Sequence, residues 1–255
     1  MTMTTAESET GGLEFGHLPR TSRSLTQSEL DRIIELHRSW LLRRSGGVRA
    51  SLKALDLSCL DFSGRDLSDV DFGGAVLAGA TLIGAKLSRA NLFAADLRGA
   101  NLEHAEFRRA DLRGARFEGA RMGHAIFIEA DLRSGRRLRP LPGDRPSAPG
   151  FALGTDLSGA VLTGARFPRA DLSFAILAGA QLTDVDFTEA TLDGTCLCDA
   201  DLSGACCRYT SLRGADLTGA ILLSADLTLA DLTGAKLDGT IRAAPFPATP
   251  TASVS

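Results

Sequence analysis

The sequence predicts an all-β solenoid with a filled core and a short N-terminal capping α-helix. Three observations predict it: an apolar residue at every fifth position through two long arrays, a small residue two places before most of those centres, and a helix signature ahead of the first array. From Leu57 to Leu132 every fifth residue is Leu, Phe or Met, 16 in succession. From Leu157 to Leu237 it is Leu or Phe at 16 of 17 positions, Cys207 being the other. Ala stands two before the centre at all 12 steps from Ala75 to Ala130 and at 13 of 17 in the second array, where Thr155, Val185, Thr195 and Thr210 are the exceptions. The first four repeats place Leu55, Leu60, Arg65 and Val70 there, so an irregular opening coil is expected.

A period of five fits neither regular element. Five residues advance an α-helix by about 500°, so the leucines would wander around its surface. On a flat strand an odd period would alternate them between faces. The small residue and the centre are two apart, however, and on a short extended piece they point the same way. If the chain turns after each pentapeptide, at residues such as Gly73-Gly74 or Ser203-Gly204, every Ala and Leu can face one axis. A closed coil with a continuous core follows, stable only as a stack of neighbours.

The consensus, as in Ala215-Asp216-Leu217-Thr218-Gly219, resembles the pentapeptide-repeat proteins, whose pattern is A(D/N)LXX, over about residues 52–132 and 155–241. The resemblance implies a right-handed quadrilateral β-helix with four pentapeptides per coil. The 33 repeats would then make about eight coils, and stacking at ~4.8 Å would give a rod roughly 40 Å long.

Residues 1–24 are expected to be disordered, and residues 25–48 to form the capping helix. Thr26-Gln27-Ser28-Glu29 reads as a capping box opening a helix to about Arg44, with Leu30, Ile33, Ile34, His37 and Leu41 along one face. The stretch His37-Arg38-Ser39-Trp40-Leu41, followed by Gly46-Gly47-Val48-Arg49-Ala50, resembles the lead-in to many bacterial arrays. The first array spans 49–132 and the second 155–241. Between them, residues 133–154 carry five arginines against one Asp, and four prolines. Centres 132 and 157 lie 25 apart, which keeps the five-residue phase whether the segment is a degenerate coil or an extruded loop. Proline favours the loop, because it donates nothing to a ladder. Arg133, Arg136, Arg137, Arg139 and Arg145 are the candidate partner-contact residues there. The tail 242–255 is expected to be disordered. It offers no evident lid, so either it lies across the last coil or two molecules meet there as a homodimer.

The residues point away from catalysis. Aspartates crowd the slot before the centre, as at Asp56, Asp96, Asp156 and Asp216, so repetition supplies them without selecting a catalytic pair. His104 and His124 lie 20 apart and should stack, but two ligands with no third do not make a metal site. Cys196 and Cys206 fall on opposite faces of a four-sided coil and Cys207 points inward, so the cysteine cluster cannot converge on one tetrahedral ion. No cofactor or metal is expected. Neither a membrane-length apolar run nor a secretory signal is visible, and the five cysteines do not resemble an extracellular disulfide framework, so a cytoplasmic protein is expected.

Net charge is −3 for the chain, but residues 151–240 hold 5 Lys and Arg against 12 Asp and Glu, a net of −7. Direct nucleic-acid binding is not expected of an acidic rod. The leading expectation is a non-enzymatic scaffold for protein–protein interaction. The family resemblance implies an alternative, since some members mimic DNA in width and charge, occupy the DNA-binding saddle of DNA gyrase and confer fluoroquinolone protection.

Overall fold

The computed structural model describes residues 25–133, 135–136 and 152–242. The chain winds as a four-sided β-helix in which residues 20 apart pair in parallel, from Ser51 with Asp71 to Ile221 with Ile241. Four faces result. The first has centres Leu52, Phe72 and Leu92, the second Leu57, Leu77 and Leu97, the third Phe62, Leu82 and Leu102, and the fourth Leu67, Leu87 and Phe107. Leu52 joins the centres read from the sequence, and from Leu57 to Ala220 the centres and the small residues before them are almost wholly closed to solvent, Leu55, Leu60 and Arg65 excepted.

The consensus follows from where each backbone group goes. In the repeat around Leu97, the Leu97 N–H donates to Arg116 O (2.7 Å), the Asp96 N–H to Ala75 O (2.9 Å) and the Gly99 N–H to Glu118 O (3.1 Å), while the Ala100 N–H closes the turn on Leu97 O (3.1 Å). One N–H of the five is left, that of the residue after the centre, and the Asp side chain accepts it: Arg98 N to Asp96 Oδ1, 3.2 Å. Where that residue is Ser or Thr, its hydroxyl often donates to the same oxygen, as Ser203 does to Asp201 at 2.6 Å. The repeated aspartates therefore cap turns. These bonds hold the carboxyls of Asp61, Asp201 and Asp226 below the usual range.

Helix α1 (Gln27–Leu41) closes the N-terminal end. Its capping box is formed, with Thr26 Oγ1 accepting from Glu29 N (3.3 Å) and Glu29 Oε2 from Thr26 N (2.9 Å). A left-handed Arg43 (φ 53°) follows the end of the helix at Leu41, a little short of the expected Arg44. Leu30, Ile34 and His37 are buried against the first coil. Polar groups of α1 and its lead-in also replace the coil that is missing there. The Leu25 N–H donates to Asp56 O (3.3 Å), Gln27 donates to Asp61 O and accepts from Asp61 N (2.9 Å each), and His37 Nε2 lies 2.9 Å from Ser68 O. An open strand edge is a template for unwanted pairing, and here it is occupied. The opening coil was expected to be irregular, yet it pairs with the next at the regular spacing of 20. Leu55, Leu60 and Arg65 are larger than Ala because that end of the coil meets a helix, with Arg65 reaching Asp31 at 2.8 Å.

At residue 116 the pairing changes from 20 to 40: Arg116 pairs with Asp156, Arg121 with Val161, Ile126 with Arg166 and Asp131 with Asp171. The pairing register thus skips 20 residues, and the second array stacks directly on the first. Strands β1 (Gly135–Arg136) and β2 (Ala152–Leu153) pair antiparallel at the exit point. The core runs through undisturbed. Phe107, Phe127, Phe167 and Phe187 stack down the fourth face with centroids 4.7, 4.4 and 5.1 Å apart, the middle contact bridging the two arrays.

Candidate interaction surface

Outward side chains stand at three places in each repeat: beside the ladder, just after the centre, and at the corner. Each corner residue has positive φ, and glycine holds about half of these corners. The corner leaving the fourth face has no glycine at all: Asp69, Arg89, Arg109, Glu129, Arg169, Glu189, Tyr209 and Leu229 follow one another, with φ between 55° and 65°. Arg89 pairs with Asp69 (2.6 Å), Arg109 with Glu129 (2.5 Å) and Arg169 with Glu189 (3.0 Å). These exposed pairs tie successive coils, each worth about 0–1 kcal/mol.

The predicted partner-contact segment leaves from the first face. Arg133 is exposed and forks onto Asp131 (2.9 and 2.7 Å), with Asp171 at 3.5 Å on the other side of the inserted segment. Its guanidinium is held charged by that carboxylate, and Asp131 is held below its usual range despite burial that opposes it. Thr155 locks the junction from inside. Its buried hydroxyl accepts from Gly114 N (3.1 Å) and lies within reach of the carbonyls of Leu112 (3.1 Å) and Arg133 (3.2 Å). Arg136 lies in β1. Arg137, Arg139 and Arg145 lie outside the described residues, as do residues 1–24 and 243–255.

The acidity of the second array is unevenly placed. Up to residue 240 its second and third faces carry Asp156, Asp184, Asp199, Asp201, Asp216 and Asp238 against Lys236, a net of −5, and Arg242 follows Ile241 at the end of the third face. The first and fourth faces hold six carboxylates against four arginines. Asp216 is bound to Lys236 Nζ (2.9 Å), while Asp156, Asp184, Asp199, Asp201 and Asp238 form no ion pair among the described residues. The acidic strip was invisible in a charge count along the chain, and appears when residues 20 apart are put on one face.

His104 and His124 do stack, with centroids 5.2 Å apart and planes at 11°. Among the described residues no group of three or more His, Cys, Asp or Glu could hold a metal ion. Cys196 and Cys206 stand two ladders apart, and Cys207 is buried at a centre, where burial pushes its thiol up to about 12. The sequence reading missed a pair: Cys196 and Cys198 point the same way, with Sγ atoms 3.1 Å apart. Their spacing of two was the available signal.

The family model for pentapeptide repeats matches in eight copies, over residues 56–92, 95–133, 152–173, 167–204 and 205–241. The chain belongs to the pentapeptide-repeat family. Its β-helix is right-handed and quadrilateral, like those of the solved pentapeptide-repeat proteins it resembles. HetL, a pentapeptide repeat protein involved in heterocyst differentiation regulation from the cyanobacterium Nostoc sp. strain PCC 7120, is 30% identical with a TM-score of 0.53, over 82% of this chain and 95% of HetL. Full-length QnrB1, a plasmid-mediated fluoroquinolone resistance protein, is 23% identical over 76% of this chain and 83% of its own, with a TM-score of 0.36. Rfr23, from the cyanobacterium Cyanothece 51142, is 24% identical over 48% of this chain and 91% of its own, with a TM-score of 0.22. No curated protein matches. The molecule is a pentapeptide-repeat scaffold, and no helix among its described residues is long and apolar enough to cross a membrane.

Proposed function

We propose that this pentapeptide-repeat chain is a non-enzymatic scaffold that binds a protein partner through the second and third faces of its second array. The observation that carries the reading is the strip of six carboxylates against one cation on two adjacent flat faces. Such a strip attracts a basic groove and repels nucleic acid. The closed interior supports a binding role over catalysis, because the axis is filled with side chains and leaves no room for a substrate. The exposed Arg133 and the arginines that follow it supply a basic arm of opposite sign. Free cysteines at all five positions fit a reducing, cytoplasmic setting.

A second reading has the same strip imitate DNA for DNA gyrase, and it is favoured by the third face, which between residues 160 and 224 holds Asp184 and Asp201 and no cation. One experiment separates the two. Gyrase supercoiling is measured with and without a fluoroquinolone, in the presence of the protein or of a variant with Asp184→Asn, Asp199→Asn, Asp201→Asn and Asp238→Asn, since asparagine at 201 still caps its turn and at corners 184 and 199 tolerates positive φ. Inhibition or drug protection at stoichiometric protein, lost in the variant, supports the gyrase reading. No effect at large excess retires it. Pull-downs with both forms then decide the broader proposal: a partner kept by the native chain and lost by the variant supports it, and identical captures overturn it.

The last coil is the proposed self-association end. Leu227, Leu232 and Leu237 are only half-buried there, and among the described residues their N–H groups have no acceptor. A second copy would cover both the apolar surface and the open edge.

A further inference from the structure

We propose that Cys196 and Cys198 form a two-thiolate site for a monovalent soft metal ion, Cu(I), on the second face of the solenoid. Both side chains are half-buried on the outward surface, and their sulfurs already lie 3.1 Å apart. Backbone bonds fix them from both sides: the Cys196 N–H donates to Ala175 O (3.0 Å), Leu177 N–H to Cys196 O (2.7 Å) and Gly179 N–H to Cys198 O (2.8 Å). The pair is therefore preorganised by the ladder and not by a flexible loop.

The geometry separates the ways two thiols can react. A disulfide wants Cβ atoms about 3.5–4.5 Å apart. Residues two apart on extended backbone have Cα atoms about 6.6 Å apart, at the far end of the Cα range a disulfide spans, so direct closure would pull on a backbone that the ladder holds. One inserted atom removes that strain. Two metal–sulfur bonds of about 2.3 Å in line span roughly 4.6 Å, which each sulfur reaches by a small outward swing. Ligand number then selects the metal. Zinc is almost always four-coordinate in protein sites, and among the described residues no third His, Cys, Asp or Glu joins the pair. Soft thiolates select Cu(I), for which two sulfurs complete a coordination shell.

The surroundings favour a cation. Asp216 lies one coil below Cys196 in the same ladder, and Asp199 follows Cys198 at the corner. The hydrogen bond with the Cys196 sulfur, then burial and Asp216, push the Cys198 thiol up to about 12, so the metal must displace protons. On binding, two S–H bonds are exchanged for two S–Cu bonds, two protons pass to solvent, and no atom changes oxidation state.

The test is anaerobic competition of the reduced protein for Cu(I) held by bicinchoninate, followed by loss of the chelator's colour. One equivalent should be withdrawn per chain. Cys196→Ser and Cys198→Ser should each weaken retention by about a hundredfold, while Cys59→Ser and Cys206→Ser leave it unchanged. Circular dichroism melts confirm that all four variants fold. No withdrawal by the native chain overturns the proposal, as does equal withdrawal by the Cys196→Ser/Cys198→Ser double variant. So does an intramolecular disulfide formed in mild diamide by a chain that fails to hold Cu(I).

Discussion

Deleting residues 134–153 should leave a solenoid that melts no lower than the full chain. The pairing of Arg116 with Asp156 skips 20 residues of register, and residues 134–153 number 20. Their removal joins Arg133 to Gly154, so that Leu132 and Leu157 stand five apart, the spacing of every other pair of centres. Gly154 then falls at the corner after Leu132, where positive φ is required and glycine adopts it without strain. Above it in the same corner column stands Gly114, with φ 65°. Closing a 20-residue excursion costs about 2.5 kcal/mol in chain entropy, and deletion removes that cost along with the short β1–β2 pairing. At about 2–4 °C per kcal/mol for a chain of this size, the midpoint should stay level or rise by up to about 8 °C. Thermal melts followed by far-ultraviolet circular dichroism measure it. The control deletion, 134–151, leaves Leu132 and Leu157 seven apart and crowds two surplus residues into one corner. It should melt below the 134–153 deletion. A 134–153 deletion that aggregates, or melts well below the full chain, would refute the reasoning and give the inserted segment a structural role.

Two further outcomes follow from the core and the helix. Phe127→Ala removes the ring that bridges the arrays, stacked 4.7 Å from Phe107 and 4.4 Å from Phe167, and should cost about 3–5 kcal/mol; a chemical denaturation midpoint unchanged from the native chain would contradict this packing. His37 should make the helix cap acid-sensitive. Ala50 donates its N–H to His37 Nδ1 (3.2 Å), so the neutral ring places its proton on Nε2, facing Ser68 O. Burial lowers the imidazole below its usual value of about 6.5; the Ser68 carbonyl, Asp66 and Asp69 oppose that shift, and Arg49 adds to it. A depressed folded value means the unfolded chain binds the proton more readily, so this stability is complete above about pH 6.5 and is lost as pH falls below it. Trp40, the single tryptophan, stacks on His37 at 5.5 Å and reports the change by its emission. His37→Gln, which can accept and donate in the same places, should flatten the pH dependence while keeping the helix docked.

What could be read from the sequence was whatever repeats. The five-residue period placed Leu97, Phe127 and the rest of the centres inside, and the capping box placed α1. What escaped depends on which residues meet across coils. His37 reads as one more member of an amphipathic face, and its part in closing the Ala50–Ser68 edge exists only once the coil is wound. The charge of the second array reads as a sum until its residues are sorted by face. In the sequence Cys196 and Cys198 read as part of one cluster with Cys206 and Cys207, whereas the spacing of two within one repeat brings their sulfurs together.

The inserted segment shows why sequence phase alone was not enough. An insertion of one whole coil keeps both the five-residue period and the face of every later residue, so nothing downstream records whether the coil is wound or expelled. Its own slots do. Were residues 134–153 wound like their neighbours, the centres would be Arg137, Pro142, Ser147 and Ala152, preceded by Gly135, Pro140, Arg145 and Gly150 at the small positions. Burying Arg137 and Arg145 without partners costs several kcal/mol each, and the prolines remove ladder donors. No large apolar group offsets either. Across the segment, Phe127 meets Phe167 and Asp131 meets Asp171 with the same contacts that join any two coils. A wound coil of these residues would bury groups that cannot be buried, and the described arrays pair across the segment in register because 20 residues are one full turn of the helix.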